Sequence, residues 1–108
     1  MKFTITPPQM ESLVKAACSA RAKKKDQLTI TAFDNRLSVG CNGVTANSEV
    51  EVSMNGSVTV HAKSFRKVLD TFNGASSLEF EGNAEGLRIQ NFPMGVISYD
   101  PKSNQPAS

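Results

Sequence analysis

The sequence predicts a small α+β domain: two βαβββ repeats with both helices packed on one face of antiparallel sheets. Three observations lead to this fold class. A chain of 108 residues suits one hydrophobic core. Its apolar positions recur in the second half at nearly constant offsets. Short alternating segments are separated by turn residues at the spacing of hairpins, which excludes a parallel βαβ sheet.

The repeat is visible when the halves are aligned. Residues 3–17 match residues 58–72 at an offset of 55, and residues 28–46 match residues 78–96 at an offset of 50. Identity between the halves is low, but the order of apolar landmarks is the same. We therefore expect one domain, 1–101, made of the halves 1–54 and 55–101. The polar segment 102–108 has the composition of a disordered tail.

The first half opens with an alternating strand, Lys2–Thr6, followed by a helix. Pro7 and Pro8 suit the helix entry, where a missing amide donor costs nothing. The apolar residues of the helix recur at i, i+3, i+4 and i+7, which predicts one buried stripe; they are Met10, Leu13, Val14 and Ala17. Three strands follow, joined by turns at Asp34-Asn35 and Asn42-Gly43; they are Gln27–Phe33, Leu37–Cys41 and Val44–Val52.

The second half repeats this order, beginning with the strand Ser57–His61. Ser64 is the expected N-cap of the second helix, and Gly74 is expected to end it in a left-handed conformation. The helical stripe consists of Phe65, Val68, Leu69 and Phe72. The expected strands, with a turn over Asn83–Gly86, are Leu78–Glu81, Leu87–Asn91 and Met94–Tyr99.

The distribution of charge along the chain is more informative than the net charge of +2. Residues 9–25 carry +4, residues 63–73 carry +2, and the remainder carries −4. The helix side is therefore expected to be basic and the strand side acidic, which can create a directional potential. An ordinary solvated surface is the alternative explanation. With 6% aromatic residues and no tryptophan, base stacking is not expected, so any nucleic acid would be held by its phosphates.

No feature of the sequence indicates catalysis. His61 is the single histidine, and no Ser/His/Asp set or phosphate loop is present. Cys18 and Cys41 lack the spacing of a zinc site and are expected to be reduced, partly buried thiols. We therefore expect no enzyme activity, cofactor or metal. The opening MKFTITPP lacks the order of a signal peptide and no apolar run could span a membrane, so we expect a cytoplasmic protein.

Four stretches together resemble the bacterial DNA polymerase III beta sliding clamp. MKFTI-x4-MESLVKAACSA is similar to the first strand and helix of a clamp domain, and LTITAFDNRLSVGCNGVTANSEVEV to the strands that follow. SVTVHAKSFRKVLDTFNGA resembles the second strand and helix, and SSLEFEGNAEGLRIQNFPMGVISYD the closing strands. The resemblance extends from Met1 to about Pro101. It rests on element order more than on invariant residues.

The resemblance implies that both helices face duplex DNA and that the sheets face outward. The DNA-contacting residues that it implies are Lys15, Arg21, Lys23, Lys24, Lys25, Lys63, Arg66 and Lys67. It also implies head-to-tail homo-oligomers joined through the edge strands Val44–Val52 and Met94–Tyr99. Two departures stand out: a clamp subunit has three such domains, and Lys23–Asp26 replaces a proline-containing segment. A clamp-fold module that docks on a protein partner through an edge strand, without binding DNA, remains the alternative.

Overall fold

The structure, a computed structural model, describes residues 1–18, 26–41, 44–72, 74–83, 86–90 and 92–100. The predicted tail, 102–108, lies outside these residues. The elements in chain order are β1 (Lys2–Ile5), α1 (Pro7–Ala17), β2 (Gln27–Phe33), β3 (Arg36–Cys41), β4 (Val44–Glu49), β5 (Glu51–Met54), β6 (Gly56–His61), α2 (Ala62–Thr71), β7 (Leu78–Asn83), β8 (Gly86–Ile89), β9 (Phe92–Met94) and β10 (Ser98–Asp100). No helix in the described part of the chain is long and apolar enough to cross a membrane.

The strands form two antiparallel sheets of five strands each. The first sheet has the order β5-β1-β7-β8-β9, and the second has the order β10-β6-β2-β3-β4. The two orders are related by the repeat. When β1 to β5 are exchanged with β6 to β10, each strand for its counterpart in the other half, one order becomes the other. The predicted α+β fold class is confirmed, and each sheet contains strands from both halves of the chain.

The last strand of each half differs from the prediction. The expected strand Val44–Val52 is interrupted at Val50, so β4 lies in the second sheet and β5 in the first. The expected strand Met94–Tyr99 is likewise interrupted, with residues 95–97 between β9 and β10. In both places the chain passes from the edge of one sheet to the edge of the other. The alternation of Val50 and Val52 with charged residues gives no local sign of this change.

Both helices lie on the buried face of the sheets. The predicted stripe of α1 is buried along its length, and Phe65 and Leu69 of α2 share one core with the inward strand residues. Val68 is only half-buried. The Phe80 ring of β7 stacks on the Phe3 ring of β1, with centroids 4.8 Å apart and planes at 6°, and lies 6.1 Å from the Phe65 ring. This aromatic cluster joins α2 to the first sheet.

Helix α1 begins as the sequence predicts, with one addition. Pro7 and Pro8 occupy its first two positions, and Thr6 is its N-cap. The Thr6 hydroxyl accepts a hydrogen bond from the Gln9 amide at 3.3 Å. This bond satisfies one of the amide groups that a helix N-terminus leaves without an internal partner.

Two predictions for the ends of α2 are wrong. The helix begins at Ala62, not after Ser64, and the Ala62 amide donates to the Asp26 carbonyl at 3.0 Å. A backbone acceptor from another part of the chain thus replaces the side-chain cap. At the other end α2 stops at Thr71, and Gly74 does not have the left-handed backbone conformation that was expected.

The turn between β2 and β3 is confirmed at Asp34-Asn35. These residues have φ of 49° and 61°, the conformation of a type I′ turn, and Phe33 pairs with Arg36 around them. The predicted turn at residues 42–43 lies outside the described residues. In the second half, Gln90 has φ of 51° and β8 ends before it, so the expected strand Leu87–Asn91 is shorter than predicted.

Candidate nucleic-acid interface

Four of the eight predicted DNA-contacting side chains lie in the described part of the chain. Lys63 and Lys67 of α2 are exposed and stand one helical turn apart, with Arg66 half-buried beside them. Lys15 is exposed in the last turn of α1. None of these four forms an ion pair with a residue that the structure describes. With Asp70 as its single carboxylate, α2 carries a net charge of +2 available to an anionic ligand.

The positive charge predicted for the first helix does not belong to α1 itself. Helix α1 carries one cation, Lys15, and one carboxylate, Glu11, so its net charge is zero. The excess comes from the segment that follows, which lies outside the described residues. That segment contains the other four predicted contacts, Arg21, Lys23, Lys24 and Lys25.

The residues that flank this basic segment lie close to α2. Cys18 follows α1, and its thiol has a pKa raised to about 12, chiefly by burial and also by a hydrogen bond with the Cys41 thiol. The nearby Arg66 guanidinium acts on this pKa in the opposite direction. Asp26, on the other flank, accepts the hydrogen bond from Ala62. Arg66 is therefore near one flank of the lysine-bearing segment, and the start of α2 is near the other.

The outer face of the first sheet carries charges of both signs. Glu79 and Glu81 of β7 lie opposite residues of β1, and Glu51 of β5 pairs with Thr4 on the same face. Lys2 lies among them, with its Nζ 4.0 Å from Glu79 Oε1. The strands together contain five carboxylates and three cations, which is an excess of two negative charges. The sheets are acidic, as expected, but weakly.

The outer face of the second sheet is largely uncharged. The Thr29 and Thr59 hydroxyl groups are 3.3 Å apart, and those of Thr31 and Ser57 are 3.0 Å apart. These cross-strand pairs link β2 to β6. The acidic excess is nevertheless one on each sheet: Glu51, Glu79 and Glu81 against Lys2 and Arg88 on the first, and Glu49 and Asp100 against Arg36 on the second.

Exposed apolar side chains mark the sheet edges. In the described part of the chain, the large hydrophobic residues exposed by more than 40% are Met54 (58%), Val44 (47%), Phe92 (46%) and Ile97 (41%). Met54 and Phe92 lie on the two edge strands of the first sheet. Val44 and Ile97 lie on or beside the two edge strands of the second. Apolar surface at open edges is a common sign of a contact with another chain.

The four edges differ in how their backbone groups are occupied. At β5, Asn35 accepts hydrogen bonds from the Val50 amide (3.1 Å, to its carbonyl) and the Val52 amide (3.2 Å, to Oδ1). The turn between β2 and β3 thereby covers this edge. At β9, the middle of the three residues is Pro93, which has no amide hydrogen to donate. Strand β10 has only three residues.

Strand β4 is the longest of the four edges, with six residues and no proline or lysine. Helix α1 packs against it, and the Gln9 side chain donates from Nε2 to the Ser48 hydroxyl at 2.6 Å and to the Glu49 carbonyl at 2.9 Å. The contributions of Gln9, Asn35 and Pro93 to these edges were not predicted from the sequence. Only proline gave a usable signal, because a proline within an alternating segment marks an edge strand.

Several bacterial sliding clamps have solved structures that are similar to this fold. A Helicobacter pylori beta clamp in complex with carprofen is 17% identical, with a TM-score of 0.76, over 91% of this chain and 30% of that one. A Bartonella birtlesii DnaN sliding clamp bound to griselimycin has a TM-score of 0.74 at 14% identity, over 100% of this chain and 32% of that one. A Helicobacter pylori beta clamp bound to a DNA ligase peptide has a TM-score of 0.73 at 14% identity, over 91% of this chain and 31% of that one.

These similarities confirm the predicted clamp fold. The chain spans about a third of the length of the clamps it matches, so it corresponds to one part of such a protein. No protein-family model matches the sequence, and no curated protein matches it. At identities of 14–17% the comparison concerns the fold alone.

Proposed function

We propose that this chain is a non-enzymatic, clamp-type protein that holds duplex DNA through phosphate contacts, without reading its sequence. The observation that carries the proposal is the outward surface of α2. Lys63 and Lys67 project there without ion-pair partners in the described residues, in a fold that is similar to solved bacterial sliding clamps. In this proposal Arg66, Lys15 of α1 and the four cations of residues 21–25 also contact phosphates.

A single domain cannot surround a duplex, so this function needs several copies. The resemblance to clamps implies that copies join through sheet edges. The predicted edge segments are Val44–Val52, which contains β4, and Met94–Tyr99, which begins at the last residue of β9 and overlaps β10. The exposed Val44 and Ile97 side chains in these two segments support such contacts.

The decisive experiment measures the binding of a mixed-sequence duplex by fluorescence anisotropy as salt is varied. Log affinity should fall linearly with log salt concentration, because each neutralised phosphate releases counterions. Replacing Lys15, Lys63 and Lys67 by glutamine should reduce the steepness of this line by about 2.7, at about 0.9 for each lost contact. Replacing the same three by glutamate should abolish binding while leaving the unfolding transition unchanged.

A matched control reverses three cations of the strands, Lys2→Glu, Arg36→Glu and Arg88→Glu. It changes the net charge by the same amount as the helix variant but leaves the α2 surface intact. Binding should survive in this control. If the helix variant binds as the natural sequence does, or if both variants lose affinity equally, the helices are not the DNA-binding surface.

The alternative function is a protein-interaction module that docks through an edge strand. The exposed apolar residues at the sheet edges favour it, since phosphate contacts make no use of them. This function predicts no retention on duplex DNA even at low salt, and no effect of the glutamate variant. Either result alone would separate it from the first proposal.

A further inference from the structure

We propose that Cys18 and Cys41 are a redox-responsive pair, which a small-molecule disulfide such as oxidised glutathione converts into one intramolecular disulfide bond. The bond would tie the end of α1 to the end of β3. This property goes beyond the proposed function and does not depend on it. The fold brings the two thiols together from different elements of the chain.

The two cysteines end two elements that pack against each other. Cys18 is the C-cap of α1, and its amide donates to the Val14 carbonyl at 2.7 Å. Cys41 is the last residue of β3 and pairs with Leu28 of β2 on one side and Val44 of β4 on the other. Both side chains belong to the hydrophobic core, with 7% and 3% of their surface exposed. Helix α1 and strand β3 therefore meet through their terminal residues.

The two thiols are in contact. Both cysteines are free in the structure, and a side-chain hydrogen bond joins Cys18 to Cys41. A disulfide joins cysteines whose Cβ atoms are about 3.5–4.5 Å apart, and thiols in hydrogen-bond contact are close to this separation. The bond can therefore form with small movements of the two side chains.

The reaction consumes one molecule of oxidised glutathione. One cysteine thiolate attacks a sulfur atom of this disulfide, which forms a mixed disulfide and releases one glutathione thiolate. The thiolate of the other cysteine then attacks the protein sulfur of the mixed disulfide and releases the second glutathione. The two cysteines together lose two electrons and two protons, and the glutathione disulfide takes them up to become two thiols.

The closed domain keeps this exchange slow. Burial, with the hydrogen bond to Cys41, raises the pKa of the Cys18 thiol to about 12, so very little of the reactive thiolate is present at neutral pH. Burial also keeps the oxidant away from both sulfur atoms. Cys18 is the residue at which α1 ends, however, and the ends of elements open far more readily than the whole domain. The pair is therefore protected in the closed domain and becomes reactive when the end of α1 opens.

Once formed, the bond would hold the end of α1 on the sheet. It closes a loop of about 24 residues, from 18 to 41, which contains the basic residues 21–25. Closing a loop of this length restricts the unfolded chain, and an unstrained bond lowers the equilibrium constant of unfolding by about 300-fold. The oxidised protein is therefore expected to be the more stable form.

The test measures the equilibrium between the thiol pair and the disulfide in glutathione buffers, first in the folded protein and then in concentrated urea. Equilibrium is approached from the reduced and from the oxidised protein, because exchange in the folded state is slow. Alkylation followed by mass spectrometry gives the fraction of each form. The equilibrium constant of disulfide formation should be about 300-fold larger in the folded protein. By the same thermodynamic cycle, the oxidised protein should unfold at a higher urea concentration than the reduced protein.

The matched controls are Cys18→Ala and Cys41→Ala, which each leave one thiol. Each should form only the mixed disulfide with glutathione, and its urea midpoint should not rise on oxidation. The comparison of folded and unfolded states uses the natural sequence alone, so it remains decisive if a variant fails to fold. An equilibrium constant no larger in the folded protein than in urea would overturn the proposal. Mixed or intermolecular disulfides of the natural sequence, in place of the internal bond, would also overturn it.

Discussion

Asn35 offers the sharpest test of how the chain changes from one sheet to the other. It holds this junction through two bonds: its carbonyl accepts from Val50 and its Oδ1 accepts from Val52, while its φ is 61°. Three substitutions separate these contributions. Asn35→Asp keeps the side-chain acceptor, Asn35→Gly removes it but tolerates the backbone conformation, and Asn35→Ala removes it and places a methyl group at positive φ.

The expected losses follow from these differences. An exposed side-chain hydrogen bond contributes about 0.5–1.5 kcal/mol, so Asn35→Gly should lower the free energy of unfolding by about 1 kcal/mol. Asn35→Ala should lower it by about 2 kcal/mol, because a left-handed conformation costs about 1–2 kcal/mol for a residue that is neither glycine nor asparagine. Asn35→Asp should remain within about 0.5 kcal/mol of the natural sequence.

Urea unfolding with linear extrapolation measures these differences. Asn55→Ala is the matched control, since its Oδ1 accepts a hydrogen bond from the Asp34 amide at 3.2 Å in the same region without a positive φ. Its loss should resemble that of Asn35→Gly. If Asn35→Ala costs no more than Asn35→Gly, the conformation of the turn does not constrain residue 35, and the reasoning fails.

Two further predictions concern stability. A Cβ on Gly56 would lie 2.7 Å from the Met1 Cβ, whereas one on Gly74 would meet nothing within 4 Å. Gly56→Ala should therefore lower the free energy of unfolding by about 1–3 kcal/mol, measured in urea. An equal loss for Gly74→Ala would contradict the steric explanation. The raised pKa of Cys18, about 12 against an ordinary 9.0, means that above pH 9 the unfolded chain releases this proton before the folded one. Relative to Cys18→Ala, the free energy of unfolding should then fall by about 1.4 kcal/mol per pH unit between the two pKa values, and should not change below the lower one. Parallel pH profiles of the two proteins would refute the shift.

The sequence predicted the elements whose signals are local. The Asp34-Asn35 turn could be read from two residues that tolerate positive φ, and the buried stripe of α1 from its spacing. The start of α2 could not, because the Ala62 amide donates its hydrogen bond to the carbonyl of Asp26, a residue distant in the chain. The interruption at Val50 is of the same kind, since alternation is identical in a straight strand and in one that changes sheets.

The candidate site was predictable in composition but not in layout. The cations of α2 are exposed where the helical wheel placed Lys63 and Lys67. The charge on each sheet face was harder to predict, because the face is formed by side chains of several strands and the sequence does not show which strands are neighbours. Pairing places Lys2 beside Glu79 and Glu81, and this moderates an acidic face that strand-by-strand reading had overstated.

The exchange of strands between the two halves has a consequence for folding. The first sheet takes β1 and β5 from the first half and its other three strands from the second, and the second sheet does the reverse. Neither half can complete a sheet alone, so the two halves are not separate folding units. Their contacts join residues far apart in the chain, which slows folding and favours a single cooperative transition. A fragment that ended after Asn55 would expose unpaired strands until it met its complement.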